Sequence, residues 1–132
     1  MKSFLLDTHV WVWSLVEPKR LSPKVRNTLE DEKAELFLSP ITLWEAILLG
    51  ERGKVEMKPD PVQWVRDRLL ASPLREAPIN CEIAIQSRAL NLQLQDPADR
   101  FLVATAIVFN LTLITADQTL LKCRTISCLK AT

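Results

Sequence analysis

The sequence predicts one α/β domain with a central, mostly parallel sheet of four to five strands flanked by helices. Two observations carry that expectation. Short apolar runs of strand length (Phe4 to Leu6, Ala34 to Leu38, Leu111 to Thr115) alternate with longer stretches of helical spacing. Several of those stretches open on a polar residue followed by proline, as in Ser22-Pro23, Ser39-Pro40, Asp60-Pro61 and Asp96-Pro97. That pair is the arrangement of a helix cap with proline at the first helical position.

A chain of 132 residues fits a single domain, residues 1–132, able to bury a real core. Its 48% apolar and 25% charged residues are those of a water-soluble globule. A net charge of +1 gives no global attraction to nucleic acid or to an anionic membrane, so either partner would need a local basic face. The opening residues reach an acid at Asp7 too early for a secretory signal or a membrane span, and a cytoplasmic protein without membrane attachment is expected. Cys81, Cys123 and Cys128 lack metal-type spacing and are expected to be buried or idle thiols. With only two glycines there is no glycine-rich phosphate loop.

The first strand stops at Asp7, and a helix over residues 8–16 ends at Glu17-Pro18. Ser22 caps the next helix, with Val25 and Leu29 facing inward. A second strand, 34–38, leads to a helix from Pro40 to about Gly50 with an inward stripe of Ile41, Trp44, Glu45 and Leu48. Another helix, 61–70, turns Val62, Val65 and Leu69 inward, and a poorer strand is expected over 74–79. Asn80 caps a helix bearing Ile83, Ala84, Ala89 and Leu90. Asp96 caps the most apolar helix, through Phe109, which should be buried on more than one side or face a partner. After the fourth strand, 111–115, a short fifth is expected at 124–128 and a frayed end beyond it.

Four acids stand at comparable places in this scheme. Asp7 ends the first strand, Glu45 lies on the apolar stripe after the second, Asp99 is in the first turn of the buried helix, and Asp117 follows the fourth strand. Strand ends and helix starts share one edge of a parallel sheet, so these acids can converge. Two carboxylates about 5 Å apart at an effective dielectric near 20 repel by roughly 3 kcal/mol. A cluster therefore points to a cation, and hard oxygen donors without supporting Cys or His suit Mg²⁺ or Mn²⁺. The matching chemistry is metal-assisted phosphodiester hydrolysis. Each acid also has a plainer role: Asp7, Asp96 and Asp117 can cap helices, and Asp99 can complete a capping-box-like pair with Asp96. Glu45 in mid-helix has no such role.

Four segments together resemble the PIN domain family, and more narrowly the VapC-like toxins of toxin–antitoxin pairs. They are Leu5-Leu6-Asp7-Thr8-His9-Val10-Trp11-Val12-Trp13, Ser39-Pro40-Ile41-Thr42-Leu43-Trp44-Glu45, Asp96-Pro97-Ala98-Asp99-Arg100, and Leu113-Ile114-Thr115-Ala116-Asp117. The resemblance implies a three-layer PIN-like fold and a ribonuclease with Mg²⁺ or Mn²⁺ at the acids. It also implies a homodimer and a cognate antitoxin. By position it implies Asp7, Glu45, Asp99 and Asp117 as catalytic, with Asp96 as a further metal ligand. It places Thr8, Ser39, Thr115 and Arg100 where they could orient ligands or contact phosphate.

His9 is expected to point away from Asp7 as a core or surface residue. Trp11, Trp13, Trp44 and Trp64 are expected to pack rather than stack on RNA. Lys19-Arg20, Lys24, Arg26, Arg52 and Lys54 form either a solvated face or a basic rim for RNA. Two other readings compete. A non-catalytic module of the same fold would bind an antitoxin or other protein without turnover. A receiver or phosphatase domain fits poorly, because Asp7 has no neighbouring acid.

Overall fold

The computed structural model describes residues 2–91 and 93–132; Met1 and Leu92 lie outside them. The chain runs β1 (Ser3–Leu6), α1 (Thr8–Val16), α2 (Pro23–Glu30), β2 (Glu35–Leu38), α3 (Pro40–Glu51), α4 (Pro61–Ala71) and β3 (Arg75–Glu76). It continues through α5 (Cys81–Ala89), α6 (Pro97–Val108), β4 (Thr112–Thr115), α7 (Gln118–Leu121) and β5 (Cys128–Lys130), with a 3-10 turn at Pro18–Arg20.

Successive side chains of a strand point to opposite faces, and both faces of this sheet are apolar. Phe4 and Leu6 of β1, Leu36 and Leu38 of β2 and Ile114 of β4 enter one cluster, with Val10, Trp11, Val25, Trp64 and Val65 from the helices. Leu5 and Leu113 enter the other, with Leu102, Val103 and Ala106 of α6 and Leu120 of α7. The result is the expected three-layer α/β domain. Residues 102–106 of α6 are all buried, so that helix is covered on several sides.

All five strands are parallel, in the order β3-β2-β1-β4-β5. The chain winds outward from β1 through β2 to β3, then returns to pair β4 with the other side of β1. The order reverses between β1 and β4, and ligands of open parallel sheets gather outside the carboxyl ends at such a reversal.

Each α-helix begins on a side-chain cap: Asp7, Ser22, Ser39, Asp60, Asn80, Asp96 and Asp117. Gly50 of α3 is set by close approach, since a Cβ there would lie 2.5 Å from Met57 Sδ and 2.9 Å from Pro61 Cβ.

Several expectations are corrected. β5 lies at Cys128–Lys130 rather than 124–128, because the chain must first complete α7 and a turn. The end is held rather than frayed: buried Ala131 donates its N–H to Thr115 O (2.9 Å) and accepts from Ser22 N (2.9 Å). β3 is only Arg75–Glu76, an exposed edge pair. In α3 the buried residues are Thr42 and Ala46, while Trp44 is 59% exposed. The stripe of Ile41, Glu45 and Leu48 is half-buried, because it faces the carboxyl edge of the sheet rather than its covered face. Val62 in α4 and Ala84 and Ala89 in α5 are exposed, their inward places being taken by Trp64 and Ser87. Cys81 is exposed, Cys123 and Cys128 are half-buried, and all three are free.

Arg100 is buried and holds the connection between α5 and α6. Its guanidinium donates to Ser87 O (2.7 Å), Leu94 O (3.0 Å) and Leu90 O (3.0 Å). The side chain thus serves the fold and does not line the acidic cleft. Replacing it (Arg100→Leu) strands these carbonyls and is expected to cost at least about 3 kcal/mol in urea unfolding. Full stability in that variant would show that the three bonds are dispensable.

Candidate active site

The winding of the sheet brings Asp7 and Asp117 to neighbouring strand ends. The Asp7 N–H donates to Ile114 O (3.0 Å), tying the end of β1 to β4. Asp7 Oδ1 accepts from Thr8 N (2.7 Å) and Oδ2 from the Thr115 hydroxyl (2.7 Å). The Thr115 oxygen in turn accepts from Asp117 N (3.0 Å). One hydroxyl, 0% exposed, therefore orients both the acid of β1 and the loop that carries Asp117. Asp117 Oδ1 caps α7 through Thr119 N (2.8 Å) and Leu120 N (3.3 Å).

Glu45 joins from α3, where its Oε1 accepts from the Thr8 hydroxyl (2.7 Å). Asp96 Oδ1 accepts from Ala98 N (2.9 Å) at the start of α6, and Asp99 projects from the first turn of that helix. Asp7, Glu45, Asp96, Asp99 and Asp117 all line one cleft of about 420 Å³, together with Thr8. Ser39 does not line it; buried at the start of α3, it caps Ile41 N (3.2 Å) and fixes the helix that presents Glu45.

The electrostatics match the geometry. Burial raises the pKa of Asp7 above its usual value; the bonds from Thr115 and Thr8 and the nearby His9 pull it back, and Asp117 pushes it up. Glu45 is raised by burial, lowered by Thr8 and raised again by Asp7 and Asp96. Asp99 is pushed up to about 7, by burial first and then by repulsion from Asp96, Asp7, Asp117 and Glu45. Among the described residues no hydrogen-bond donor meets the Asp99 carboxylate to offset this. Hence the cleft holds negative charge that its own side chains do not neutralise.

The donor set is carboxylate oxygen, which suits Mg²⁺ or Mn²⁺. Among the described residues, no three His, Cys, Asp or Glu side chains are already closed on a common point. The carboxylates share a cleft wide enough for an ion with retained waters, the habit of Mg²⁺.

Sequence reasoning missed part of the wall. His9 lines the cleft rather than pointing away, its ring 5.7 Å from that of Trp13. Trp13 is half-buried and also lines it, and so does Arg52, one of the basic residues the sequence offered as a rim for RNA. The spacing gave one clue: residues 9 and 13 are four apart and share a helix face. Of the other basic candidates, Arg20 and Lys54 line an adjoining hollow. Lys24 lines a separate one with Lys2 and Lys33 at the amino end of β1.

An α/β domain wound about β1, with acids from four separate segments at its switch point, defines a class. The PIN domain family model matches residues 4–124, and the chain belongs to that family. Ribonuclease VapC22 of Mycobacterium tuberculosis is 33% identical to it over 121 residues, 91% of each chain. The fold is also that of VapBC from Salmonella typhimurium, solved bound to DNA (TM-score 0.73, 17% identity, 98% of each chain). VapBC2 from Rickettsia felis, bound to a fragment of promoter DNA, is similar as well (TM-score 0.72, 18% identity, 96% of this chain and 97% of that one).

A pH dependence follows from Asp99. Its folded pKa of about 7 exceeds the unfolded value of 3.8, so the native state holds a proton that the unfolded state releases. Stability of metal-free protein should therefore fall as pH rises from about 4 to about 7. Asp7 and Glu45 act in the same direction. Melting curves in chelator should show this decline, flattened in Asp99→Asn; equal slopes in the two proteins would mean that Asp99 is not strained.

Proposed function

We propose that this chain is a divalent-cation-dependent endoribonuclease, the toxin of a toxin–antitoxin pair acting in the cytoplasm. The observation that carries the reading is the acidic cleft: carboxylates from the end of β1, α3, the start of α6 and the end of β4 face one space, and repulsion from these neighbours adds to burial in raising the pKa of Asp7, Glu45 and Asp99. The relationship to Ribonuclease VapC22 supports RNA as the substrate. The VapBC assemblies among the structural neighbours support a cognate antitoxin. Among the described residues no helix is long and apolar enough to cross a membrane. A homodimer belongs to the same reading, and exposed Trp44, beside Ile41, Ile79 and Pro97, is apolar surface for a second copy to bury.

Asp7, Asp99 and Asp117 would hold Mg²⁺ or Mn²⁺, with Glu45 and Asp96 completing the donor set. When bound, the ion would neutralise the phosphodiester and lower the pKa of an attacking water. The chain's own groups do the positioning. Thr8 N–H and the Thr115 hydroxyl fix both oxygens of Asp7 in one plane of approach. Thr8 also anchors Glu45 through Oε1, leaving Oε2 to accept a proton from water in the cleft. Arg52 stands at the wall with a positive charge that can meet the charge of the cleaved phosphate, and the His9 ring lies beside it on the same wall.

Purified protein free of other chains, incubated with pooled cellular RNA, should yield fragments with Mg²⁺ or Mn²⁺ and none with chelator. Asp7→Asn should remain folded and lose more than about 100-fold of this activity, since even outer partners of a metal ligand cost 10- to 100-fold. Equal cleavage by the mutant would remove the acidic cleft from the mechanism. Millimolar Mg²⁺ or Mn²⁺ should also raise the melting temperature of the wild type more than that of Asp7→Asn. An identical shift in both would place the ion elsewhere.

A further inference from the structure

The acidic cleft repels a polyanionic strand until a cation fills it, so affinity for RNA has to come from beside it. A second hollow of about 480 Å³ adjoins the first, and the two share His9, Trp13 and Leu49. Its wall is built from the exposed side of α1, the 3-10 turn and the segment after α3. Trp13 has its inner edge packed on the core, while Arg20 lies over its ring at 4.1 Å from the centroid. Lys54 lines the hollow and Arg52 the adjoining cleft.

Resting on the ribonuclease reading above, we propose that this hollow is a base-stacking subsite. It would hold the base of a nucleotide next to the scissile phosphate. The arrangement separates a base from the other possible occupants. Glu17 and Glu56 also line the hollow and make its interior a poor place for a phosphate. An unpaired base has no charge to repel, and aromatic rings and guanidinium planes are the surfaces on which single-stranded bases stack. Arg20 is already held on Trp13, so little freedom is lost when a base joins the stack. Its pairing with Glu17, at 3.7 Å with both side chains more than half exposed, is a weak competitor. Lys54 and Arg52 then stand where the flanking phosphates leave the hollow. The strand would run from this stack, past His9, into the acids.

The test uses Asp7→Asn protein, which binds without cutting, and a short single-stranded RNA of mixed sequence. Equilibrium affinity is measured for this parent and for added Arg20→Ala, Trp13→Leu and Lys33→Ala. The last removes one positive charge from the far hollow at the amino end of β1. An abasic strand of equal length is the second ligand. Arg20→Ala and Trp13→Leu are expected to weaken RNA binding roughly 5- to 150-fold, the range for loss of one stacked base, with little change for the abasic strand. Lys33→Ala should leave both affinities unaltered. Trp13 packs on the core, so its variant is checked for folding by thermal melting, and Arg20→Ala carries the test if that fold is lost. Equal losses for Arg20→Ala and Lys33→Ala, or equal losses on RNA and abasic strand, would reduce the effect to diffuse charge and overturn the subsite. Unchanged RNA affinity in Arg20→Ala would overturn it as well and give the surface to a protein partner. Absence of cleavage by the wild type, with the stacking losses intact, would instead overturn the hydrolytic reading and leave the subsite standing.

Discussion

Carboxylate repulsion at one edge of the sheet is the constraint on which the rest of this structure depends. Five acids line one cleft, and the pKa of Asp99 rises to about 7 because neither burial nor its neighbours favour its charge. The fold tolerates the arrangement by placing helix starts there. Asp7, Asp96 and Asp117 are at once wall residues of the cleft and the caps of α1, α6 and α7. Their carboxylates accept backbone N–H bonds at the positive ends of helices, which offsets part of the repulsion. Capping and cation binding are therefore not rival explanations of these residues. Asp96 and Asp117 cap their helices through one oxygen and keep the other for the cleft, while Asp7 has one oxygen on the cap and the other held by Thr115.

The same constraint explains which parts were legible in the sequence. Strands buried on both faces and helices opened by a cap and proline follow local rules, so β1, β2, β4 and the helix starts fall where their patterns put them. Glu45 was legible because an acid in mid-helix on an apolar stripe has no local purpose. The hydroxyls beneath the acids carried less information. Thr115 matched a flanking position, but its bond to Asp7 joins residues 108 positions apart, and only the pairing of β4 with β1 creates it. The held end was hidden for a similar reason: Ala131 is anchored by Thr115 and Ser22, neither of which has any local pattern linking it to the last residues.

Arg100 shows the opposite error. Its place beside Asp99 suggested a role at the site, yet a helix turns its side chain about 100° from that of its neighbour. Asp99 therefore faces the cleft, while Arg100 reaches back to the carbonyls between α5 and α6. Adjacent residues in a motif serve different layers, and their proximity in sequence is not proximity in function.

The partly open aromatic residues share one location. Trp13 packs on the core as expected yet keeps part of its ring open, His9 lines the cleft and Trp44 is exposed, and all of them lie around the carboxyl edge. A three-layer fold covers the faces of its sheet, not its ends, so a helical stripe directed at that edge loses its covering layer. Apolar and aromatic side chains there stay partly open to solvent without breaking the pattern that marks a core. Hydrophobic periodicity reads such a stripe as interior because nothing local distinguishes an edge from a face. In this fold the distinction matters most at the switch point, where open rings stand against carboxylates. In the proposed reading, acids that gather a cation and rings that accept a base would serve opposite parts of one nucleotide, and the open end of the sheet is where both can be exposed together.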